Sequence, residues 1–259
     1  MCKVISVSNN KGGVAKTTTT CNLGVGLARS GKRVLIIDTD PQGNLTCCMG
    51  IREPDELDYT IADAMARIIN EEFIDPHEGI IPCEEGVDLM PGNIELSGLE
   101  SSLISVTIGR ESILKDFVDM LRDDYDYILI DCMPSLGLLT VNAMMAADSL
   151  LIPMEAEYLS AKGLNNLLKT VTRIRRLNAD LTIDGILLTK VSGRTNYERE
   201  IREKLDEGYV KNIRIFTSSI PRSVRASEQS ALGISIYRHD PRGKIAAAYQ
   251  SLTEEVLAS

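Results

Sequence analysis

Short apolar runs alternate with longer amphipathic stretches along most of the chain. The run KVISVS at 3–8 precedes a helical pattern over 16–29, and the run RVLIID at 33–38 follows it. Further apolar runs predict five more strands: VDLMPG, DYILID, SLLIPM, IDGILLTK and IRIFTSSIP. Because apolar strands that alternate with helices are typical of parallel sheets buried on both faces, the pattern predicts an α/β fold. We expect a doubly wound, mostly parallel β-sheet with helices on both faces.

The amphipathic stretches predict six helices after the first. They lie near 60–72, 110–122, 136–146, 159–177, 197–207 and 241–257. Gly31 follows the first helix and Pro241 stands just inside the last, which are the positions that these residue types favour. Residues 43–85 have the least regular pattern, and we expect a surface excursion there. The chain, residues 1–259, is therefore predicted to be a single domain.

The charge of the chain is unevenly distributed. The formal net charge is −9, but residues 1–159 contain 11 Lys and Arg against 26 Asp and Glu, whereas residues 160–259 contain 17 against 11. Since affinity for nucleic-acid phosphates comes largely from Lys and Arg, only the C-terminal part could attract DNA. A solvated surface with uneven charge is the alternative interpretation.

The cysteines favour thiols over a metal site. There are six cysteines and two histidines, with no C-x-x-C pair and no histidine at ligand spacing from a cysteine. The sequence therefore predicts reduced, mostly buried thiols. At the N-terminus no basic segment precedes an apolar run, so a leader peptide is not predicted and we expect a cytoplasmic protein.

The segment SVSNNKGGVAKTTTTCNLG, residues 6–24, joins the first predicted strand to the first helix. It departs from the usual phosphate-loop pattern G-x-x-x-x-G-K-[ST], whose glycines would fall at Asn10 and Ala15. If position 15 requires a positive φ, alanine there costs about 1 kcal/mol in strain.

The same segment still contains what a phosphate loop requires physically. A strand end leads into Gly12 and Gly13, which can adopt unusual backbone angles, and a helix N-terminus follows. Lys16 can reach the β- and γ-phosphates of a nucleotide, and the Thr17 hydroxyl is placed for Mg²⁺. A glycine turn that merely precedes Lys-Thr is the alternative.

Carboxylates follow two of the predicted strands. Asp38 and Asp40 come at the end of VLIIDTDPQGN, and Asp131 ends the apolar run YDYILID. Since ligands bind at the carboxyl ends of parallel strands, we expect these side chains beside the phosphate loop, near Mg²⁺ and water. Each aspartate alone is also compatible with an ordinary polar turn.

Together these segments resemble the ParA/Soj-type deviant Walker A ATPases of the ParA/MinD superfamily. The loop matches K-G-G-x-x-K-[ST], and the carboxylate segments match D-x-D-P-Q-G-N and the IDCPPSLG pattern, with Met133 where proline is usual. The resemblance continues through IPMEAEYLSAKGLNNLL, GILLTKVSGRTN and the segment that begins IPRSVRASEQ. It covers nearly the whole chain and departs most notably at Ala15, where glycine is the commonest residue.

The resemblance implies roles for individual residues. Lys11 would reach across a nucleotide-sandwich dimer to the partner's phosphates, and Asp40 would position the attacking water. The implied catalytic residues are Lys11, Lys16 and Asp40. Residues near Mg²⁺ would be Thr17, Asp38 and Asp131. ATP would contact Lys11, Gly12, Gly13, Val14, Ala15, Lys16, Thr17 and Thr18, with Thr189, Pro221 and Arg222 around the adenine. The surface for DNA would include Arg194, Arg222 and Arg225, unless ion pairs with nearby acids occupy these arginines.

The implied function is ATP-dependent DNA partitioning. ATP and Mg²⁺ would close a homodimer that binds DNA without sequence preference, and hydrolysis would reset it. A ParB-like centromere-binding protein would be the partner, and the ATP-bound protein would associate with the nucleoid. A MinD-like membrane-cycling ATPase is one alternative, disfavoured because YQSLTEEVLAS is acidic, and we expect no membrane partner. A nucleotide-binding regulatory module with little turnover is another, which Ala15 supports.

Overall fold

The strands form one sheet. The computed structural model describes residues 2–155, 161–192 and 213–259, with the side chains of 161–165 left out. The strands within these ranges are β1 Lys3–Val7, β2 Val34–Asp38, β3 Ile81–Pro82, β4 Asp88–Met90, β5 Tyr127–Asp131, β6 Ser149–Glu155, β7 Thr182–Val191 and β8 Ile215–Pro221. Their order in the sheet is β3-β4-β2-β5-β1-β6-β7-β8. Only β3 and β4 pair antiparallel, so the predicted mostly parallel sheet is confirmed.

Helices cover both faces of this sheet. Within the described ranges they are α1 Lys16–Arg29, α2 Asn44–Cys48, α3 Ile61–Ile69, α4 Glu95–Ser105, α5 Ile113–Leu121, α6 Leu138–Ala146, α7 Ala161–Ile174, α8 Arg225–Leu232, α9 Ile236–His239 and α10 Lys244–Leu257, with a short 3₁₀ turn at Pro54–Glu56. The helices α3 to α7 pack on one face, and α1, α2, α9 and α10 pack on the other. The doubly wound arrangement is thereby confirmed.

Alternation along the strands builds the two apolar cores. In β2, Leu35 and Ile37 point into the core under α3 to α7, whereas Val34 and Ile36 point into the core under α1 and α10. Successive side chains of a strand face opposite sides, so a strand buried on both sides reads as one continuous apolar run. The strands could therefore be predicted from the apolar runs in the sequence.

The register brings the ends of the central strands level. In the pairing of β1 with β5, Val7 lies opposite Asp131, and in the pairing of β2 with β5, Asp38 lies opposite Asp131. The loop after β1 and both carboxylates therefore meet at one edge of the sheet, which the sequence pattern predicted.

The start of the last helix was predicted wrongly. The helix α10 begins at Lys244 with Gly243 as its N-cap, and Pro241 lies outside it. The Gly243 amide donates to the Asp240 carbonyl at 2.9 Å, which closes a turn with proline in its second position. Proline's fixed φ suits that turn position as well as it suits a first helical turn, so the residue alone did not distinguish them.

Several elements were not predicted: α2, α4, α8, α9 and β3. The predicted surface excursion at 43–85 contains α2, α3 and the edge strand β3. The helix predicted at 197–207 lies outside the described residues. All six cysteines are free, and Cys47 and Cys83 are only half-buried while the other four are buried, as predicted. In the described part of the chain, no helix has the length and apolarity that a bilayer crossing requires.

Candidate active site

The loop after β1 adopts a left-handed backbone at two positions. Gly13 has a φ of 73° and Ala15 a φ of 68°. Glycine takes this conformation freely, whereas an alanine Cβ crowds the following carbonyl, at a cost of about 1 kcal/mol. Position 15 therefore has the positive φ that was the condition for the strain predicted at Ala15 from the sequence. Ala15 directly precedes α1, so the strain lies where the backbone N–H groups of a phosphate loop converge.

Side chains from β7 and from the start of the loop fix its shape. The buried Thr189 hydroxyl donates to the Val14 carbonyl at 3.0 Å. The Asn9 amide donates to the Pro153 carbonyl at 2.7 Å, and the Asn9 side-chain oxygen accepts from the Lys11 backbone N–H at 3.0 Å. The loop is thus anchored to β6 and β7, the next two strands after β1 in the sheet.

Lys16 lies over the loop and is largely buried. Its Nζ donates to the Lys11 carbonyl at 3.1 Å. Burial lowers the pKa of Lys16, and the neighbouring carboxyl group of Asp131 opposes this shift. A polyanion bound in the loop would stabilise the charged form of the Lys16 ammonium group, which burial disfavours.

Two buried carboxyl groups lie behind the loop. Asp131 accepts from the Thr17 hydroxyl at 2.7 Å and from the Thr20 hydroxyl at 3.2 Å. Asp38 accepts from the backbone N–H and the hydroxyl of Thr46, both at 2.9 Å. Burial raises the pKa of Asp38 to about 7, and burial together with the charge of Asp38 raises the pKa of Asp131 to about 8.

This donor set fits Mg²⁺. Carboxylate and hydroxyl oxygens are the ligands that Mg²⁺ prefers, and the ion usually keeps several waters and shares substrate phosphates. Two adjacent buried carboxyl groups with raised pKa values would be stabilised in their charged form by a divalent cation. No group of three or more His, Cys, Asp and Glu side chains that could hold a metal occurs within the described ranges.

Asp40 occupies a different environment from Asp38. It lies at the wall of the site cavity, and its carboxylate accepts from the Gln42 backbone N–H at 3.0 Å. The Asp40 backbone N–H donates to the Asp38 carboxylate at 3.1 Å, so Asp38, the last residue of β2, holds the backbone that positions Asp40. Its place beside the cavity, with Lys16 and Thr17 also in the wall, suits a group that acts on water there.

The cavity has a volume of about 680 Å³, within the usual range for small-molecule sites. Of the predicted nucleotide contacts, the structure brings together in its wall Gly12, Gly13, Ala15, Lys16, Thr17, Thr18, Pro221 and Arg222. Val14 and Thr189 are buried, and the Thr189 hydroxyl donates to the Val14 backbone carbonyl, so this side chain supports the loop.

Part of the cavity wall was not predicted from the sequence. Pro134, Lys190 and Tyr249 line the cavity, as do Ala226, Ser227 and Ser230 of α8. The β7–β8 pairing shifts register between Leu188 and Val191, and Lys190 there has a φ of 53°. Such irregularities redirect a side chain out of the strand's alternation. A lysine at the end of an apolar strand was the available signal.

Lys11 does not lie over the loop as Lys16 does. Its Nζ is 3.2 Å from a carboxylate oxygen of Glu155, at the end of β6. The side chain of Lys11 is 35% exposed, so the two lysines of the loop have different environments, one buried and one at the rim.

The arginines predicted to contact DNA fall into two groups. Arg194 lies outside the described residues. Arg222 lies just before α8 and Arg225 is its first residue, and 59% of each side chain is exposed. Arg222 is 3.5 Å from Glu155 and Arg225 is 2.9 Å from Glu228, so both have the acidic neighbours that the alternative interpretation predicted.

Comparisons with known proteins match most or all of this chain. Residues 2–183 match the AAA domain family. The chain is 43% identical to the sporulation initiation inhibitor protein Soj of Bacillus subtilis, covering 100% of both chains. It is 40% identical to the chromosome partitioning protein ParA of Myxococcus xanthus, covering 98% of this chain and 88% of that protein. A crystal structure of cobyrinic acid a,c-diamide synthase from Mycobacterium smegmatis, with bound ATP analogue and magnesium, superposes with a TM-score of 0.86 at 33% identity, covering 99% of this chain and 94% of that one.

Proposed function

Because this chain belongs to the ParA/MinD-type ATPases with an AAA domain, we propose that it is a DNA-partitioning ATPase of the ParA/Soj kind. Its activity is ATP hydrolysis to ADP and phosphate, and ATP and Mg²⁺ are its cofactors. The cycle we propose has three steps. ATP closes a homodimer, the dimer binds DNA without sequence preference, and hydrolysis returns the protein to the monomer.

Within one subunit, each step of hydrolysis has a group suited to it. The loop N–H groups and Lys16 hold the phosphates, and Thr17, Asp38 and Asp131 would hold Mg²⁺. An Mg²⁺ ion held by these residues would neutralise part of the negative charge of the nucleotide phosphates. Asp40, at the cavity wall, orients water for attack and accepts hydrogen bonds from it.

The observation that supports the dimer step is the different position of the two loop lysines. Lys16 is buried over the loop of its own subunit, while Lys11 stands at the rim with its ammonium group turned to Glu155. A rim lysine can reach a phosphate presented by a second copy without displacing Lys16.

The DNA step has two kinds of support. Arg222 and Arg225 place positive charge on an exposed rim in the more basic third of the chain. The Myxococcus xanthus relative is a chromosome partitioning protein. On this proposal a ParB-like centromere-binding protein is the partner, and the ATP-bound dimer is found on the nucleoid.

The last helix favours this function over membrane cycling. Ile245, Tyr249, Leu252 and Val256 form its apolar side, and all four are buried in the core under α1. A helix that binds a bilayer must present its apolar side to lipid, and α10 uses that side within the fold.

Sedimentation of the Lys11→Ala variant tests the proposal. We expect ATP, but not ADP, to dimerise the parent, and the variant to bind ATP within about threefold of the parent affinity while remaining monomeric. Lys32→Ala, which removes an exposed lysine at the far end of α1, is the matched control and should behave as the parent. A Lys11→Ala protein that dimerises with ATP as the parent does would refute the role across subunits.

A further inference from the structure

Glu155 lies within 4 Å of three cationic side chains from separate parts of the fold: Lys11 of the loop after β1, Lys190 of β7 and Arg222 after β8. One carboxylate oxygen is 3.2 Å from Lys11 Nζ, and the other is 3.5 Å from Arg222 Nη2 and 3.8 Å from Lys190 Nζ. The glutamate lies at the end of β6, and its side chain is only 16% exposed. A largely buried carboxylate with three cations around it is more strongly held than an isolated surface ion pair.

The cluster adjoins the place where nucleotide phosphates bind. Lys190 and Arg222 line the cavity, and a Cβ placed on Gly13 would lie 4.0 Å from Lys190 Nζ. Glu155 therefore supplies negative charge beside the loop whose ligand is also negative. The two compete for the same cations.

The end of β6 also holds the backbone of Lys11. The Pro153 carbonyl accepts from Asn9, and Asn9 accepts from the Lys11 N–H. Since Pro153 and Glu155 are two residues apart on one strand, β6 fixes both the main chain and the ammonium group of Lys11.

We propose that Glu155 is a positioning residue that retains Lys11 within its own subunit until a triphosphate on a second copy competes for the lysine. The inference rests on the proposed function, because it assumes that Lys11 serves across a dimer. A nucleoside triphosphate carries more negative charge than one carboxylate and draws Lys11 away, whereas the diphosphate lacks the terminal group. Glu155 thus raises the threshold for dimerisation and favours the monomer when the triphosphate is absent.

The test is the dimer dissociation constant of Glu155→Gln, measured by sedimentation equilibrium with a non-hydrolysable ATP analogue. Glutamine keeps the size and loses the charge, so the attraction between residue 155 and Lys11 is weakened. From the usual strength of partly exposed ion pairs, we expect dimerisation to tighten by roughly two- to fivefold. The gain should shrink as salt rises, because screening weakens the pair.

Three controls make the result specific. Combined with Lys11→Ala, Glu155→Gln should leave the residual association unchanged, since the effect acts through Lys11. Glu84→Gln removes an exposed glutamate paired with Arg238 elsewhere on the surface and should match the parent. Glu155→Asp, which keeps the charge on a shorter side chain, should lie between the parent and Glu155→Gln and provides the readout if Glu155→Gln unfolds.

The outcomes separate this inference from the proposed function. A parent that stays monomeric with the analogue refutes both. A parent that dimerises while Glu155→Gln dimerises equally or more weakly refutes the inference alone. An equal gain in the Lys11→Ala background also refutes it, because Glu155 would then act on the nucleotide without Lys11.

Discussion

Ala15 occupies a conformation that most proteins assign to glycine. Its φ of 68° resembles that of Gly13, two residues earlier, yet it carries a methyl group. Strain of this kind persists where surrounding contacts hold it, and here the Thr189 bond to Val14 and the start of α1 do so. The loop therefore keeps its shape at a cost of about 1 kcal/mol.

We expect Ala15→Gly to raise ATP affinity or turnover by no more than about fivefold, the factor that 1 kcal/mol of relieved strain allows. Nucleotide titration and single-turnover hydrolysis measure the effect. Ala28→Gly, within α1, is the control and should only lower stability, by about 1 kcal/mol. A much larger gain from Ala15→Gly would favour a regulatory module with little turnover.

The buried lysine and the cavity aspartate should separate binding from chemistry. We expect Lys16→Ala to lose nucleotide altogether, because its buried ammonium group lies over the loop, 3.1 Å from the Lys11 carbonyl, where the phosphates would bind. Asp40→Ala should retain nucleotide, lower hydrolysis by roughly 10²- to 10⁴-fold and accumulate the ATP dimer. Equilibrium binding and phosphate release distinguish the variants. An equal loss of nucleotide affinity in both would contradict the assignment of Asp40 to water.

At the scale of elements, a carboxylate of α10 secures the strand β8. Glu255 accepts from the backbone N–H of Thr217 at 3.0 Å and from that of Ser218, and it pairs with Arg214 at 3.2 Å. In the described sheet β8 is an outer strand, and its amides are bonded here by a side chain instead of another strand. Although partial burial raises the pKa of Glu255, the bonds from Ser218, Thr217 and Arg214 outweigh it and lower the pKa.

Replacing Glu255 by Gln should lower the free energy of unfolding by about 1–2 kcal/mol at pH 7, because two backbone amides lose a charged acceptor. The folded pKa lies below the unfolded value of about 4.3, so the stabilisation is present above that pH and is lost as pH falls through the folded pKa. Urea unfolding from pH 7 to 3 should therefore show a smaller acid loss in the variant. Glu254→Gln, on the exposed side of α10, is the control, and identical acid profiles for Glu255→Gln and the parent would contradict the prediction.

The sequence predicted strands better than helices, for a physical reason. Each central strand is a continuous apolar run because both its faces are buried. The helix α4 has the sequence ELSGLESSLIS, in which three leucines form a narrow buried stripe among serines and a glycine. In α8 only Gln229 is buried. Such helices are stabilised by their tertiary contacts more than by their own propensity, and the sequence pattern gives little sign of them.

The candidate site was predictable where it depended on adjacent strands. Asp38 and Asp131 both end apolar runs, and parallel pairing alone brings them together. Glu155, Lys190 and Tyr249 reach the site from β6, β7 and α10, and their positions in the sequence do not show that they meet there. A glutamate that neutralises lysines from distant segments leaves no local pattern.

At the scale of the whole molecule, two features make opposite predictions for DNA binding. The net charge of −9 disfavours it, whereas the exposed rim that carries Arg222 and Arg225 favours it. At physiological salt each charge acts over about 8 Å, so the local rim decides the interaction. A dimer would present the rim twice. DNA binding should therefore require ATP and weaken steeply as salt rises.

We expect Arg194→Glu combined with Arg225→Glu to abolish DNA binding while ATP-dependent dimerisation survives. Fluorescence anisotropy with duplex DNA at several salt concentrations measures the first, and sedimentation the second. Arg33→Glu combined with Arg67→Glu reverses two charges in the acidic part of the chain and should bind as the parent. Undiminished binding by the Arg194 and Arg225 variant would place the surface elsewhere, and a parent that does not bind DNA with ATP would refute partitioning.

The position of β1 in the sheet has a consequence during synthesis. It is the first of the eight described strands to be made, yet its neighbours β5 and β6 are encoded about 120 residues later or more, as the pairing of Lys3 with Tyr127 shows. At the usual rate of translation, roughly 6 to 24 seconds pass between them. For that interval the nascent chain carries a strand with both hydrogen-bonding edges free, and the nucleotide loop that follows it has nothing to anchor it. Until the ribosome has made β7, with Thr189, the first third of the chain cannot complete its own binding site.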